Sequence, residues 1–367
     1  MANRKDKKSA LKVNAGIEKP SSVNSKLIEK LKNKSNVSKS IGYYIDGILN
    51  KDIKILAQAI TLVESSNTTH RAMAQEIIES CIPESGKSIR IGITGVPGVG
   101  KSTFIESIGK FLTEKGYKVA VLAIDPSSSR NKGSILGDKT RMESLANDKN
   151  AFIRPSPSSG SLGGVAQKTR ETISLCEAAG FDIILVETVG VGQSETAVHS
   201  MVDFFLLLML AGAGDELQGI KRGIIEMCDA IFINKADGDN LNKAKSSRVQ
   251  YANALHLYPV PDSGWSPTAG ICSAISNFNI DVVWETIQNY IEHTKANNYF
   301  EVNRKRQDII RLHEQIDMKL KSLFYNDDLM QQKINKAKDK IANNTASAYK
   351  LADELIDEYV FVNGKVL

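Results

Sequence analysis

The sequence predicts an α/β fold, in which a mostly parallel sheet carries helices on both faces and further helices extend the chain at both ends. Through the middle of the chain, apolar runs of strand length alternate with segments of helical periodicity. Most of these runs are apolar throughout, as expected of strands that are buried on both faces. After residue 298 the strand-like runs stop, and only charged amphipathic segments follow.

Composition and charge divide the chain into a basic tail and a mildly acidic body. Of the 367 residues, 42% are apolar and 24% are charged, as in folded domains, and the formal net charge is +5. Residues 1–40 contain 11 Lys and Arg, 3 Asp and Glu, and no aromatic residue, so we expect a disordered tail. The remaining residues carry a net charge of −3, which argues against nucleic acid as a partner of the body.

The cysteines and the N-terminus indicate the cellular compartment. The four cysteines form no C-x-x-C pair and lie in no His/Cys cluster, which disfavours a zinc site and suits a reducing compartment. The N-terminus has no apolar core of the kind found in secretory signals. The longest apolar run, Phe204–Ala213, is shorter than the ~20 residues needed to cross a bilayer. We expect a cytoplasmic protein without a membrane partner, or a mitochondrial-matrix protein if the source is eukaryotic.

The chain is expected to have four regions. Apolar residues recur at helical spacing from Tyr44 to Val63, and Thr69–Cys81 predicts a second helix. The amphipathic segments at the C-terminal end must bury their apolar stripe against either a partner subunit or their own sheet, and the sequence leaves both open. The regions are a disordered tail (1–40), an N-terminal helical segment (41–86), a nucleotide-binding domain (87–297) and a C-terminal helical extension (298–367).

The individual elements follow from periodicity and length. Strands are predicted at the apolar runs Ile89–Ile93, Val119–Ile124, Ile183–Val186, Phe204–Leu210 and Ala230–Ile233. Helices are predicted over Thr103–Glu114, Val165–Ala179, Leu241–Leu257, Val282–Lys295, Asn303–Phe324, Leu329–Ile341 and Ala346–Val362.

A phosphate-binding loop follows the first predicted strand. Residues 95–102 read GVPGVGKS and fit the pattern G-x-x-x-x-G-K-[ST] between a strand and a helix. Backbone N–H groups of such a loop point at phosphate oxygens, and the helix N-terminus adds partial positive charge. The flanking elements disfavour the alternative of a chance glycine-rich turn, so the fold is that of a P-loop NTPase. The predicted nucleotide-binding residues are Gly95, Val96, Pro97, Gly98, Val99, Gly100, Lys101, Ser102 and Thr103, with Lys101 on the β- and γ-phosphates and Ser102 on Mg²⁺.

A second motif predicts which base is bound. Asn234, Lys235 and Asp237 form N-K-x-D directly after a predicted strand, about 130 residues beyond the phosphate loop. A carboxylate at Asp237 can accept hydrogen bonds from N1–H and the 2-amino group of guanine, whereas adenine lacks that donor pair. Ser273 and Ala274, after another short run, are candidates for backbone contacts to the guanine oxygen. The alternative is that Asp237 caps a helix.

Two carboxylates also follow predicted strands. Asp125 and Glu187 end apolar runs, and ligands of a doubly wound sheet bind beyond the carboxyl ends of its strands. Because acidic groups beside a triphosphate would repel it, roles as ligands of Mg²⁺ or its waters are favoured over capping or ion pairing. Residues 187–190 have the form of the D-x-x-G switch element with Glu in place of Asp, so the Gly190 N–H is a candidate sensor of the γ-phosphate.

Glycine-rich loops add candidates for catalysis. Loops of such length inside a compact domain usually serve a function. Lys221 or Arg222, in the loop 212–223, could neutralise charge in the transition state, and Gln193 could position water. Ordinary surface roles remain the alternative for these residues.

The assembled motifs resemble those of the MeaB/ArgK/MMAA family of SIMIBI-class P-loop GTPases. The resemblance covers roughly residues 41–325. It rests on Gly95–Thr103 and on residues 125–128 (DPSS), 133–142 (GSILGDKTRM), 187–195 (ETVGVGQSE) and 214–221 (GDELQGIK).

The resemblance implies a GTP-hydrolysing chaperone of an adenosylcobalamin-dependent acyl-CoA mutase, chiefly methylmalonyl-CoA mutase. Such proteins gate cofactor loading, protect the mutase from inactivation and form homodimers through C-terminal helices. The family pattern further implies that Asp125, Asp138 and Glu187 surround Mg²⁺ together with Ser102. It also implies that the loop 215–221 is a switch that responds to the mutase.

Two other functions are weighed against the mutase chaperone. An older label in this family suggests a transport-linked protein kinase or ATPase, which would use ATP and a protein acceptor. A nickel-delivery GTPase of the same class is disfavoured because the sequence has no His-rich tract. For the leading hypothesis we expect slow intrinsic GTP turnover, because no residue is an obvious arginine finger in cis.

Overall fold

A parallel sheet forms the centre of the molecule. A computed structural model of the chain describes residues 39–125, 142–157, 162–188, 194–212 and 222–362. Within them, seven strands pair in parallel in the spatial order β3-β2-β4-β1-β5-β6-β7. The strands are β1 (Ile89–Gly95), β2 (Val119–Asp125), β3 (Ala151–Pro157), β4 (Ile183–Glu187), β5 (Phe204–Leu210), β6 (Ala230–Asn234) and β7 (Thr268–Ile271). The predicted α/β class is confirmed.

Helices cover both faces of this sheet and extend the chain beyond it. Three helices precede the sheet: α1 (Ile41–Leu49), α2 (Ile53–Glu64) and α3 (Thr68–Cys81). The sheet region contains α4 (Lys101–Glu114), α5 (Glu143–Ala146), α6 (Leu162–Ala178), α7 (Ser194–His199), α8 (Arg222–Met227), α9 (Leu241–Leu255) and α10 (Ile280–Ala296). The C-terminal helices are α11 (Tyr299–Tyr325), α12 (Asp328–Ala342) and α13 (Ala348–Val362).

Two apolar cores lie on opposite faces of the sheet. One packs α1–α3, α6 and α9 against the sheet through residues such as Leu56, Ile173 and Tyr251. The other packs α4 and α10 through residues such as Phe104 and Trp284. The fully apolar strands predicted from the sequence are explained by burial on both faces.

The N-terminal helical segment differs from the sequence prediction. The helical spacing from Tyr44 to Val63 predicted a continuous helix, but α1 and α2 are separate. Lys51 adopts a left-handed conformation (φ 64°), and the Asp52 side chain accepts hydrogen bonds from the Lys54 and Ile55 N–H groups at the start of α2. A turn of this kind keeps the apolar residues of both helices on the same side, so periodicity alone does not show it.

The edge strand β3 was not predicted. It contains Pro155 and Pro157, and proline cannot donate a ladder hydrogen bond. Its only neighbour among the described strands is β2, with Val119 paired to Ala151 and Asp125 to Pro157. At a sheet edge one side of the strand needs no ladder bonds, which makes the two prolines tolerable.

The C-terminal helices continue away from the sheet. The first part of α11 is tied to the body through the buried residues Phe300 and Gln307. Helices α12 and α13 pack on each other, with an ion pair between Lys333 and Glu358 at 2.6 Å. Among the helices that the structure describes, none is both long enough and apolar enough to cross a membrane.

Candidate nucleotide site

The carboxyl ends of the central strands gather the predicted site residues at one edge of the sheet. Strand β1 lies between β4 and β5; the chain passes from β1 to β2 on one side, and after β4 it crosses to β5 on the other side. This change of direction is the topological switch point at which ligands of such sheets bind. Gly95, Glu187 and Asn234 end β1, β4 and β6, and Asp125 ends β2 at the same edge.

The loop from Gly95 to Lys101 requires glycine at tightly packed positions. A Cβ atom on Gly95 would lie 2.3 Å from the Leu208 carbonyl oxygen of the neighbouring strand. Gly100, at the N-terminus of α4, has φ +92°, and a Cβ there would lie 3.2 Å from Asn234 Nδ2. The left-handed conformation and the close approach together exclude larger residues. The backbone can therefore wrap around a phosphate group.

Lys101 lies across this loop. Its Nζ donates hydrogen bonds to the Gly95 carbonyl at 2.9 Å and to the Val96 carbonyl at 3.4 Å. Burial lowers the pKa of Lys101, while the nearby carboxylates of Glu187 and Glu195 act in the opposite direction. The ammonium group is thus held at the loop, beside two carboxylates that favour its charged form.

Ser102 and Glu187 meet although they are far apart in sequence. The Ser102 hydroxyl donates to Glu187 Oε1 at 3.1 Å, which joins the first turn of α4 to the end of β4. Ala123 pairs with Glu187 in the β2–β4 register, so the Asp125 backbone lies two residues beyond that pair on the adjacent strand. A serine hydroxyl and a carboxylate are hard oxygen donors, the kind that Mg²⁺ prefers, so these residues fit the predicted cation.

The N-K-x-D motif packs directly on the phosphate loop. Asn234 is 1% exposed, and its Nδ2 donates to the Val99 carbonyl at 2.9 Å. The Lys235 Nζ donates to the Gly98 carbonyl at 2.8 Å, and Lys235 has a left-handed backbone (φ 59°). The residues predicted to bind the base therefore also hold the loop predicted to bind the phosphates.

Asp237 is held by Ser273 and does not cap a helix with its side chain. The Ser273 hydroxyl donates a hydrogen bond to Asp237 Oδ2. A short 3₁₀ turn follows Asp237, yet the carboxylate makes no capping hydrogen bond to it. The capping alternative is thereby excluded, and the Asp237 carboxylate has acceptor positions to spare beside the phosphate loop.

The backbone amides of Ser273 and Ala274 already have protein partners. The Ser273 N–H donates to the Phe278 carbonyl at 3.0 Å, and the Ala274 N–H donates to Asn234 Oδ1 at 3.1 Å. A guanine oxygen would therefore share the Ala274 N–H with Asn234. The geometry shows a different contribution of Ser273: its hydroxyl orients the Asp237 carboxylate.

Four predicted site residues lie outside the described residues. They are Asp138, Gly190, Gln193 and Lys221. Gln193 and Lys221 were predicted to act in catalysis, Asp138 to bind the metal ion and Gly190 to bind the γ-phosphate. Ser194, at the start of α7, follows directly after Gln193.

The structure adds residues to which the sequence motifs alone assign no role. The Thr188 hydroxyl donates to the Thr94 hydroxyl at 2.8 Å, and both residues are buried. The Thr188 N–H donates to the Ile93 carbonyl at 3.0 Å, so the segment after Glu187 is tied to β1 twice. Glu195, in the first turn of α7, is 1% exposed and close enough to Lys101 to influence its pKa. Thr188 and Glu195 belong to the 187–195 motif, which was the only signal for them in the sequence.

Replacing Asn234 should weaken the whole protein. Asn234→Ala leaves the Val99 carbonyl and the Ala274 N–H buried without the partners that they have now. Such groups lose their hydrogen bonds without regaining water, so we expect the free energy of unfolding to fall by about 2 kcal/mol. Urea denaturation measures this change. The exposed Asn242→Ala serves as the control, and a loss no larger than that of the control would contradict the packing described.

Comparison with known proteins shows the family to which the chain belongs. The family model described as "Methylmalonyl Co-A mutase-associated GTPase MeaB" matches residues 56–328. "GTPase ArgK" of Escherichia coli (strain K12) is 48% identical over 274 residues, which cover 74% of this chain and 83% of that protein. "Methylmalonic aciduria type A homolog, mitochondrial" of Mus musculus is 42% identical over 323 residues, covering 85% of this chain and 78% of that protein.

A solved structure is similar in both fold and sequence. The structure described as "Crystal structure of LAO/AO transport system kinase" superposes on this chain with a TM-score of 0.69, and the two sequences are 36% identical. The superposed region covers 87% of this chain and 97% of that chain. The family model spans more than half of the chain, and its matched residues 56–328 include the phosphate loop, Glu187 and the N-K-x-D motif. The chain belongs to the MeaB family of methylmalonyl-CoA mutase-associated P-loop GTPases.

Proposed function

We propose that this chain is a Mg²⁺-dependent GTPase that acts as a chaperone of an adenosylcobalamin-dependent acyl-CoA mutase, with methylmalonyl-CoA mutase as the first candidate. One observation carries the GTPase part. Asn234, Lys235 and the Ser273-held Asp237 pack on the phosphate loop, so a base-reading group and a phosphate-binding group share one edge of the sheet. The printed family description supports the mutase as partner.

In this proposal the base is chosen by Asp237. Its carboxylate accepts hydrogen bonds from N1–H and the 2-amino group of guanine, and the Ser273 hydroxyl keeps it oriented. Adenine has no matching pair of donors and would leave the carboxylate without partners. Specificity for GTP over ATP follows from that difference.

The phosphates are bound by the loop and by Lys101. The backbone N–H groups of residues 95–102 other than Pro97, together with the Lys101 ammonium, stabilise the negative charge that shifts between the phosphates during transfer to water. Ser102 and Glu187 would hold Mg²⁺, together with Asp125 and Asp138. When bound, that ion neutralises part of the phosphate charge. Gln193 positions the attacking water and Lys221 neutralises transition-state charge in this account.

A nucleotide-competition experiment tests the GTPase proposal. Labelled GTP should be displaced by GTP and GDP but not by an equal concentration of ATP, and hydrolysis should stop when EDTA removes Mg²⁺. Without a partner we expect turnover on the order of 10⁻⁴ to 10⁻² s⁻¹, as in GTPases that lack an activating protein. Turnover on the order of 10 s⁻¹ by the isolated protein would contradict the need for a partner.

The same experiment decides the second candidate function. A transport-linked kinase is favoured only by the description of the similar solved structure as a transport system kinase. A kinase of that kind would bind ATP and transfer its phosphate to a protein. Strong displacement of GTP by ATP would therefore favour the kinase and remove the role given to Asp237.

The proposal includes a homodimer formed through α11. Apolar residues of α11 recur at spacings of three and four, which places them on one face of the helix. All are between 45% and 59% exposed: Ile309, Leu312, Ile316, Leu320 and Leu323. Gln307 and Glu314 instead contact the body, through the Val202 carbonyl and Arg170. An exposed apolar stripe opposite the body-facing side is the surface expected to meet a second copy.

A charge within this stripe should break the dimer. Ile316→Asp would bury an unpaired carboxylate in the interface, so we expect the dimer dissociation constant to rise at least about 100-fold. Sedimentation velocity over a concentration series measures it. Asp317→Lys changes charge at an exposed neighbour outside the stripe and should leave the dimer intact. A wild-type protein that sediments as a monomer, or a variant that still forms dimers, would refute this interface.

A further inference from the structure

Two buried hydroxyl groups meet at the edge of the sheet that carries the nucleotide site. The Thr188 hydroxyl donates to the Thr94 hydroxyl at 2.8 Å, and the two residues are 0% and 1% exposed. Thr94 directly precedes Gly95, where the phosphate loop begins, and Thr188 directly follows Glu187. The bond therefore joins the two chain segments that bring the phosphate loop and the Glu187 carboxylate to the site.

This bond lies one residue beyond the last pair of the β1–β4 ladder. In that ladder Ile93 is paired with Glu187, so Thr94 and Thr188 are the next residues along the two strands. The Thr188 N–H donates to the Ile93 carbonyl at 3.0 Å, so the backbone and the side chain of Thr188 both bind the β1 segment. The chain is thus kept beside β1 past the point at which β4 ends.

Alternation along β4 places Glu187 and Thr188 on opposite faces of the sheet. Leu185 belongs to the core that packs α4 on one face, and Val186 belongs to the core on the other face. Glu187 follows Leu185 on the first face, where its Oε1 accepts the hydrogen bond from the Ser102 hydroxyl at 3.1 Å. Thr188 follows Val186 on the second face. Fixing Thr188 on that face therefore sets the direction in which Glu187 leaves the backbone, towards α4.

A pair of hydroxyl groups fixes this geometry more narrowly than two apolar side chains would. Valine has nearly the same shape as threonine, so two valines could fill the same space without forming any bond. A hydrogen bond between two hydroxyl oxygens requires a separation of about 2.7–2.8 Å and a defined direction. Because both hydroxyls are shielded from water, each depends on the other for its hydrogen bond within the part of the chain that the structure describes. Positioning explains the two polar groups better than packing does.

We propose that Thr94 and Thr188 are positioning residues of the nucleotide site. Their hydroxyl bond holds the backbone behind Glu187, so that the Glu187 carboxylate stays directed at Ser102. This role rests on the proposed function, in which Ser102 and Glu187 hold Mg²⁺ beside the phosphates. Without the bond, the Glu187 carboxylate is free to turn away from Ser102, and Mg²⁺ adds less to the nucleotide affinity. The phosphate loop keeps its contacts with the N-K-x-D motif, so binding in the absence of Mg²⁺ should not change.

Equilibrium titration of the full-length protein with a fluorescent GDP analogue, once in Mg²⁺ and once in EDTA, tests this role. The wild-type protein should bind more tightly in Mg²⁺. Thr188→Val should weaken binding about tenfold in Mg²⁺, the value of about one hydrogen bond, and leave binding in EDTA within about twofold of wild type. Thr188→Ser, which keeps the hydroxyl and loses only the methyl group, should restore most of the Mg²⁺ effect.

A second substitution tests whether the two hydroxyls act as a pair. Thr94→Val should cause the same loss as Thr188→Val, because either change removes the same bond. The double variant should lose no more than either single variant, since no bond is left to break. Thr294→Val makes the same change at an equally buried position of α10 and should behave as wild type. Additive losses in the double variant would overturn the pairing.

Glu187→Gln separates the failure of this role from the failure of the proposed function. If the wild-type protein binds GDP equally well in Mg²⁺ and in EDTA, the Mg²⁺ site itself is refuted, and the role of the two threonines with it. If Glu187→Gln reduces the Mg²⁺ dependence but Thr188→Val does not, only the positioning role is overturned. A loss in Thr188→Val that is equal in Mg²⁺ and EDTA would also overturn it, because such a loss would reflect general damage to the fold.

Discussion

Lys101→Ala should lower the rate of GTP hydrolysis by about 10²–10³-fold, the cost of removing one preorganised charged donor from a transition state. The Lys101 ammonium lies across the phosphate loop at 2.9 Å from the Gly95 carbonyl, and the loop around it has no room for side chains at Gly95. If water took the place of the Lys101 side chain, the positive charge that is already positioned at the phosphate loop would be lost. Single-turnover hydrolysis of bound GTP measures the chemical step apart from nucleotide release.

A lysine just beyond the end of the same helix provides the matched control. Lys115 follows the C-terminal end of α4, is exposed and lies over the Phe111 ring. Lys115→Ala removes an equal charge at the far end of α4 and should leave hydrolysis within about twofold of wild type, because exposed charges contribute little. If Lys101→Ala hydrolysed GTP as fast as Lys115→Ala, the phosphate site would have to lie elsewhere.

Asp237→Asn should weaken GTP binding by at least about 100-fold. The substitution removes two hydrogen bonds to a charged acceptor, each contributing about 1.5–3 kcal/mol, and presents an amide donor to the donors of guanine. The side chain stays the same size, and Ser273 can still donate to the amide oxygen, so the fold should persist. Equilibrium titration with a fluorescent GDP analogue measures the loss.

Testing a nucleotide with a different base distinguishes a loss of guanine recognition from a general loss of nucleotide binding. Xanthine has a carbonyl where guanine has the 2-amino group, and an asparagine amide can donate to that carbonyl. The Asp237→Asn variant should therefore bind xanthosine triphosphate better than GTP, while Asp239→Asn, at the exposed position two residues later, keeps the wild-type preference. Unchanged GTP affinity in Asp237→Asn would mean that the base is not read by this carboxylate.

The parts of the site that are encoded locally could be predicted from the sequence. A strand, a glycine-rich turn and a helix are adjacent along the chain, so the phosphate loop is recognisable from its residues alone. The N-K-x-D motif is recognisable for the same reason, because it directly follows β6. Glu187 could be placed at this edge from one general rule about parallel sheets, and its contact with Ser102, 85 residues away, is what that rule predicts.

Features that depend on tertiary structure were not predictable. The prolines of β3 argue against a strand until its position at the sheet edge is known. The turn at Lys51 does not disturb the helical spacing. Whether the Ala274 amide is available to a base depends on Asn234, which is 40 residues away in sequence. A surface cleft lined by Arg90 of β1, Arg170 of α6 and Arg311 of α11 likewise brings together residues that share no motif.

The measurement that tests the central claim most directly is GTP hydrolysis by the full-length protein as methylmalonyl-CoA mutase and its cobalamin cofactor are added. We expect slow hydrolysis by the protein alone, a saturable change in rate as mutase is added, and co-elution of the two proteins on size-exclusion chromatography. Lys101→Ala should bind the mutase but show no such change. Absence of both a complex and any change in rate would contradict the mutase-chaperone function and leave only a GTPase.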